Sequence, residues 1–103
     1  MTAHEPEIPD SIPRIRLGRF PTPLESCDIA GRTILVKRDD LCADGYAGNK
    51  VRKLEFLLGA ARRAGARRLV TAGAAGSHHA FATAYHGSRH GFAATLVLFP
   101  QRL

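Results

Sequence analysis

The sequence has 103 residues, enough for one small domain or for part of a larger one. Its 45% hydrophobic and 23% charged residues are ordinary for a soluble globular protein, and no apolar run approaches the ~20 residues that cross a bilayer. The net charge of +6 is carried by scattered basic residues with few aromatic residues among them, which argues against a nucleic-acid-binding surface.

The first 32 residues are predicted to form an irregular N-terminal arm (1–32). Three of the six prolines lie within residues 1–13, and the prolines that flank Thr22 in the segment FPTPLE hold the backbone extended. Gly31 and Arg32 are typical of a turn. The arm also has acidic residues where a signal peptide would need a basic start and an apolar stretch, so we expect a cytoplasmic protein.

Residues 33–103 alternate between the patterns of strands and helices. Short β-branched and apolar runs favour strands, and stretches with apolar residues at helical spacing favour helices. Gly65 and Gly91 lie where the two helices would end, and Ser77 is a favourable N-cap for the second helix. The strands are predicted at residues 33–36, 68–72 and 93–99, and the helices from Asn49 to Ala64 and from Ser77 to about His90.

This β-α-β-α-β order is typical of the α/β class, in which crossover helices connect the strands of an open parallel sheet. A three-stranded parallel sheet needs cover on both faces and has two unpaired edges, and two helices are hardly sufficient for that. We therefore expect residues 33–103 to be an incomplete α/β region of a longer two-domain protein.

Folds of this class bind ligands in the loops that follow the strands. Lys50 follows one such loop and lies in the first turn of a helix, where the helix dipole and the neighbouring Arg52 and Lys53 favour the neutral amine that Schiff-base chemistry requires. Gly76 and Ser77 place backbone amides at the start of the other helix, which suits an anion. From these residues alone, the alternatives are that Lys50 is simply an exposed lysine and that Gly76 and Ser77 form an ordinary strand-to-helix turn.

Two other clusters are weaker candidates. His86 and His90 have the i, i+4 spacing of shared metal ligands, but the glutamate of an HExxH motif is missing and no third ligand is evident nearby, so no metal is expected. Asp39 and Asp40 could act as paired carboxylates, although turn formation and pairing with Arg38 is the preferred interpretation.

Four motifs occur along the chain in the order FPTPLE, ILVKRDDL, GNKVRKLEFLL and LVTAGAAGSHHAFATA. They resemble the family of 1-aminocyclopropane-1-carboxylate deaminase and D-cysteine desulfhydrase, which are fold-type-II pyridoxal-phosphate enzymes with a tryptophan synthase β-like fold. The resemblance runs from about Arg16 to about Pro100, and GNKVRKLE following KRDD is its most specific part. It covers only the N-terminal portion of such enzymes, whose glycine-rich phosphate loop has no counterpart in this sequence.

The resemblance implies roles for individual residues. Lys50 would hold pyridoxal 5′-phosphate as a Schiff base, with Asn49 beside it, and Ser77 would act on the substrate as nucleophile or proton carrier. The family usually has an asparagine after that serine, bonded to the phenolic oxygen of the cofactor. His78 takes this place here; it is bulkier, but it can donate one hydrogen bond in the same direction. The residues expected to bind the substrate are Gly76, Ser77, His78 and His79.

The resemblance thus predicts an enzyme that releases ammonia and a 2-oxo acid from a small amino acid, of the D-cysteine desulfhydrase or 1-aminocyclopropane-1-carboxylate deaminase type. The full-length parent is expected to be a homodimer with no nucleic-acid or membrane partner. A truncated, non-catalytic product of such a gene and a small basic nucleic-acid-binding module are the alternatives.

Overall fold

The computed structural model describes residues 6–102, so the first five residues of the predicted arm lie outside the described range. Within that range no helix is long and apolar enough to cross a membrane. The elements are β1 (Leu24–Ile29), β2 (Arg32–Lys37), a 3-10 turn (Asp39–Leu41), α1 (Lys50–Arg63), β3 (Arg68–Ala74), α2 (His78–Arg89) and β4 (Ala93–Phe99).

The parallel sheet consists of β3 and β4, paired from Arg68 opposite Ala93 to Ala74 opposite Phe99. Helix α2 connects these strands and packs against both of them, and α1 packs beside α2. The α/β class and the crossover connection are therefore confirmed, and both helices agree with the prediction to within one residue at each end. Strand β3 is longer than predicted by Gly73 and Ala74, because its ladder with β4 continues through them.

The first predicted strand is not part of this sheet. Strand β2 pairs antiparallel with β1 in a separate two-stranded sheet, with Leu24 opposite Lys37 and Ile29 opposite Arg32. The connecting residues Ala30 and Gly31 have φ values of 51° and 75°. Positive φ at both central positions is the turn geometry whose twist matches that of two antiparallel strands. The prediction of three parallel strands is wrong on this point, because a pattern of apolar residues does not say which neighbour a strand pairs with.

Residues 24–29 form strand β1, although the sequence predicts that they belong to the irregular arm. The segment reads LESCDI, and it is largely exposed, so it lacks both the apolar run and the regular alternation by which a strand is usually predicted. The segment forms a strand because it pairs with β2, and its composition alone does not predict this.

The arm crosses α1 at close range. A Cβ atom on Gly59 would lie 2.5 Å from main-chain atoms of Pro13 and Arg14, so only glycine lets the two backbones approach in this way. Just beyond, the amide of Ile15 donates to the carbonyl oxygen of Glu55 at 2.9 Å. The side chain of Ile15 then joins Leu58 and Phe92 in a small buried core, and Leu17, Ala61 and Leu69 pack against it.

The parallel sheet has one covered and one uncovered face within the described range. Val70, Val97 and Phe99 are 67%, 54% and 55% exposed, and they alternate along their strands with residues that face the helices. The radius of gyration is 16.0 Å, against the ~13 Å of a compact domain of about 100 residues. The molecule is therefore a flat layer, 18 Å thick along its shortest axis, with helices on one side of the sheet.

Candidate functional site

Two helix N-termini lie at the C-terminal edge of the parallel sheet. Strand β3 ends there at Ala74 and leads into α2, and α1, which precedes β3 in the chain, begins at Lys50. The positive charges of Lys50 and Lys53 both act on His79 at the start of α2. The structure therefore brings the two loops predicted to bear the site to the same side of the molecule.

Lys50 is the first residue of α1, and its side chain is half-buried. Asn49 occupies the N-cap position with φ −67° and ψ −19°, which is helical rather than extended, and its side chain makes no capping hydrogen bond. Asn49 therefore does not satisfy the first amides of α1 in the way that an extended N-cap residue does.

The first turn of α1 is fixed by an ion pair. Arg52 donates from Nε to Oδ2 of Asp39 at 2.8 Å and from Nη2 to Oδ1 at 3.0 Å, and Thr22 donates its hydroxyl to the same carboxylate at 2.7 Å. The hydrogen bonds from Arg52, more than that from Thr22, hold the pKa of Asp39 below its usual value against the effect of burial. The guanidinium of Arg52 also lies over the ring of Phe20, 4.4 Å from its centroid. Arg52, two residues after Lys50, therefore anchors the start of α1 to the end of the β1–β2 hairpin.

The two neighbouring aspartates have different partners. Asp40 pairs with Arg38, at 2.9 and 2.8 Å, as the sequence predicts. Asp39 pairs instead with Arg52. The pair therefore forms no shared carboxylate site, and the role of Arg52 is not predicted from the sequence, because the two residues are 13 positions apart.

Ser77 caps α2. Its Oγ accepts a hydrogen bond from the amide of Ala80 at 3.2 Å, and its backbone is extended, which confirms the predicted N-cap. A Cβ atom on Gly73 would lie 2.9 Å from both Cβ and Oγ of Ser77, so the glycine makes room for the serine. A Cβ atom on Gly76 would have Oε1 of Gln101 as its nearest contact, at 3.5 Å, so there is space beside Gly76.

His78 is tied to the loop that precedes Lys50. Its Nδ1 lies 2.7 Å from the hydroxyl oxygen of Tyr46. The carbonyl oxygen of the same tyrosine accepts a hydrogen bond of 2.7 Å from Nε2 of the buried His86. Tyr46 is not among the site residues predicted from the sequence. The one feature that could have indicated it is the presence of an aromatic residue in a polar, glycine-bearing loop. His86 therefore has a backbone partner, and no cluster of three or more His, Cys, Asp or Glu that could hold a metal occurs in residues 6–102.

His79 faces the interior between the helices. With Leu54, Leu58, Thr71 and Thr83 among its neighbours, it lines a cavity of about 300 Å³ between α1, β3 and α2. Burial, and then the charges of Lys53 and Lys50, lower the pKa of His79 below its usual value. Its Nδ1 atom is buried and has no hydrogen-bond partner in the described part of the chain.

A larger cavity, of about 800 Å³, lies between the arm and α1. Arg14, Arg16, Phe20 and Arg52 contribute to its lining, whereas Lys50, Ser77 and His78 do not. We place the candidate site at the edge of the sheet and not in this cavity, because both helices begin at that edge and Lys50, Ser77 and His78 lie there.

No protein-family model matches the sequence. A putative 1-aminocyclopropane-1-carboxylate deaminase of Pyrococcus abyssi is 44% identical over 90 residues, and a D-cysteine desulfhydrase of Salmonella paratyphi B is likewise 44% identical over 90 residues. Each alignment covers 84% of this chain and 27% of the relative. A nocardicin C-9′ epimerase of Nocardia uniformis subsp. tsuyamanensis is 49% identical over 92 residues, which are 88% of this chain and 28% of that protein.

The fold also matches a solved structure. The crystal structure of a homologue of 1-aminocyclopropane-1-carboxylate deaminase superposes with a TM-score of 0.77 and 40% sequence identity, over 85% of this chain and 28% of that one. The class defined by this fold is that of the fold-type-II pyridoxal-phosphate enzymes. Within it, the chain is similar to members of the 1-aminocyclopropane-1-carboxylate deaminase and D-cysteine desulfhydrase family, and it spans little more than a quarter of the length of these relatives.

Proposed function

We propose that this chain provides the lysine-bearing part of a pyridoxal-phosphate-dependent enzyme that releases ammonia and a 2-oxo acid from a small amino acid. The observation that carries the proposal is the position of Lys50, a half-buried residue that begins α1 at the edge of the sheet where α2 also begins. The relatives support the same reaction class, since two of them are deaminases or desulfhydrases by name.

The side chains at this edge fit the cofactor. A primary amine is the group that binds pyridoxal phosphate covalently, and Lys50 supplies it. His78 has one ring nitrogen engaged with Tyr46 and the other open to a ligand. When bound, the cofactor supplies an electron sink that stabilises negative charge on the substrate's α-carbon.

The other residues act on the substrate. Gly76 and Ser77 precede the first amides of α2, where the partial positive charge of the helix favours a carboxylate. The Ser77 hydroxyl stands at the same point and is the group proposed to carry a proton to or from the substrate. Asn49 and His78 would lie beside the cofactor, and His79 lines the cavity between α1, β3 and α2.

Epimerisation is a second candidate reaction, because the epimerase of Nocardia uniformis is the relative with 49% identity. Elimination from an amino acid such as cysteine and epimerisation both begin with removal of the proton on the α-carbon, whereas 1-aminocyclopropane-1-carboxylate has no proton there and its deamination begins with opening of the ring. They differ in the later steps, since an epimerase returns a proton to the opposite face and releases no ammonia. Incubation with a small amino acid in deuterium oxide separates them: deuterium at an inverted α-carbon indicates epimerisation, and ammonia with a 2-oxo acid indicates deamination.

The test of the proposal is chemical trapping. The protein is incubated with pyridoxal phosphate, reduced with borohydride, digested and examined by mass spectrometry. We expect the phosphopyridoxyl group on Lys50, and its loss in Lys50→Ala. Lys53→Ala is the matched control, since Lys53 is exposed on the same turn and should leave the labelling of Lys50 unchanged. A label found on Lys37 or Lys53 instead would refute the assignment.

A further inference from the structure

Tyr46 connects the loop before Lys50 to the start of α2. Its hydroxyl oxygen lies 2.7 Å from Nδ1 of His78, and the two rings are tilted by 52° with centroids 6.3 Å apart. A hydrogen bond of this length is well formed. Tyr46 is therefore the neighbour that decides how the His78 ring is oriented.

Tyr46 is held by contacts other than this bond. The buried side chain of His86, which is 4% exposed, donates from Nε2 to the carbonyl oxygen of Tyr46 at 2.7 Å. The preceding residue, Gly45, has a φ of 73° and lies so close to Tyr85 that a Cβ atom there would be 1.9 Å from the tyrosine hydroxyl. The phenol of Tyr46 is thus set in place by the packing of its own loop against α2, before any ligand binds.

The chemistry of the two groups decides the direction of the bond. A neutral imidazole has one N–H and one bare nitrogen, and the bare nitrogen is the acceptor. The lone pairs of a phenol oxygen are partly delocalised into its ring, so a phenol is a better donor than acceptor. When the Tyr46 hydroxyl donates to Nδ1, the proton of the His78 ring lies on Nε2, which has no partner in the described part of the chain.

We propose that Tyr46 is a positioning residue that fixes His78 in the Nε2–H tautomer. His78 then presents a hydrogen-bond donor at the edge where Lys50 and Ser77 lie. That this donor meets the phenolic oxygen of the cofactor rests on the proposed function, whereas the tautomer itself does not.

Nitrogen NMR of the full chain tests the tautomer directly. The chain is labelled with ¹⁵N in its imidazole rings and observed at about pH 8.5, where histidines are mostly neutral. Protonated and bare ring nitrogens have well separated shifts, and the His78 signals are identified by their loss in His78→Gln. We expect His78 to be mainly in the Nε2–H form. Tyr46→Phe should lower the ratio of the Nε2–H form to the Nδ1–H form about fivefold, which is the effect of one ordinary hydrogen bond.

Two controls separate positioning from loss of structure. Tyr85→Phe removes a hydroxyl from the neighbouring ring and should leave the His78 signals unchanged. The His86 signals serve as an internal control, because its bond to the Tyr46 carbonyl does not involve the phenol and should survive in Tyr46→Phe. A dominant Nδ1–H form in the unmutated chain overturns the inference, and so does an unchanged His78 spectrum in a Tyr46→Phe chain whose His86 signals are intact.

If Tyr46→Phe also disturbs His86, the loop itself has moved, and His78→Gln provides the second variant. Trapping pyridoxal phosphate by borohydride at limiting concentration should then label Lys50 several-fold less in His78→Gln than in the unmutated chain, and equal labelling overturns the assignment of the His78 donor to the cofactor. The failure of the proposed function gives a different result: Lys50 is unlabelled in every protein, while the tautomer of His78 still depends on Tyr46.

Discussion

Replacement of Glu55 by alanine should destabilise the fold more than any change at the surface. Glu55 is fully buried on α1, and its carboxylate accepts hydrogen bonds from Nε of Arg14 at 2.8 Å and from the amides of Leu17 and Gly18 at 2.9 and 3.0 Å. A second guanidinium nitrogen of Arg14 lies 2.6 Å from the same carboxylate. One side chain therefore holds the arm on the helix that carries Lys50.

The magnitude depends on the groups that alanine leaves without a partner. The two amides lose their acceptor, at about 1 kcal/mol each for half-buried groups, and the guanidinium of Arg14, which is 20% exposed, loses the carboxylate with which it pairs. Together with the cavity, this gives about 3–5 kcal/mol, the usual effect of breaking a buried ion pair. Such a loss lowers Tm by at least about 12 °C in a domain of this size. Glu55→Gln keeps the shape but places an amide N–H₂ against donors, so its effect should be intermediate.

Urea unfolding measures the free energy, and trypsin reports on the arm, which contains arginines at positions 14, 16 and 19. We expect Glu55→Ala to be cut rapidly at these arginines before the rest of the chain is digested. The matched control is Glu25→Ala, because Glu25 pairs with Arg38 at the surface, where an ion pair contributes about 0–1 kcal/mol. A loss below about 1 kcal/mol in Glu55→Ala, or unchanged cleavage of the arm, would refute this account of the carboxylate.

Two further predictions concern the edge of the sheet. Because burial holds the pKa of His79 below its unfolded value of 6.5, the folded chain takes up fewer protons than the unfolded chain as the pH falls below 6.5. The stability linked to His79 is therefore complete above that pH and is lost on acidification. His79→Gln should reduce the fall in unfolding free energy below pH 6.5, and an identical pH dependence would contradict it. Gly73→Ala should lower the free energy of unfolding by about 1–3 kcal/mol, because the added methyl group would press against Ser77. Gly76→Ala is the control, since open space lies beside Gly76, and it should change Tm little. Equal effects of the two substitutions would contradict the tight packing of the loop.

The helices and the last strand could be predicted because their signals are local. Gly65 and Gly91 have φ values of 77° and 87° and end their helices as glycines do, and Ser77 caps α2 with its own hydroxyl. Lys50 and Ser77 could be placed at the same edge because each of their helices leads into a strand of the parallel pair, so both helices begin where the strands end.

The contacts that could not be predicted depend on partners far along the chain. The carboxylate of Glu55 binds residues 37 to 41 positions away, and Tyr46 meets His78 across 32 positions. Neither pair produces a local pattern. Strand β1 is not predicted for the same reason, since its polar residues are stabilised by pairing with β2 and not by burial. The positions of Lys50 and His78 are thus visible in the sequence, whereas the contacts that orient them are not.

The crossing of the arm over Gly59 has a consequence for how sequences of this kind can diverge. The atoms that a side chain at position 59 would meet belong to the backbone of residues 13 and 14, which every amino acid possesses. Replacing Pro13 or Arg14 therefore cannot make room for a larger residue on the helix, and no second mutation in the arm rescues the first. Position 59 should therefore stay glycine for as long as the arm follows this path.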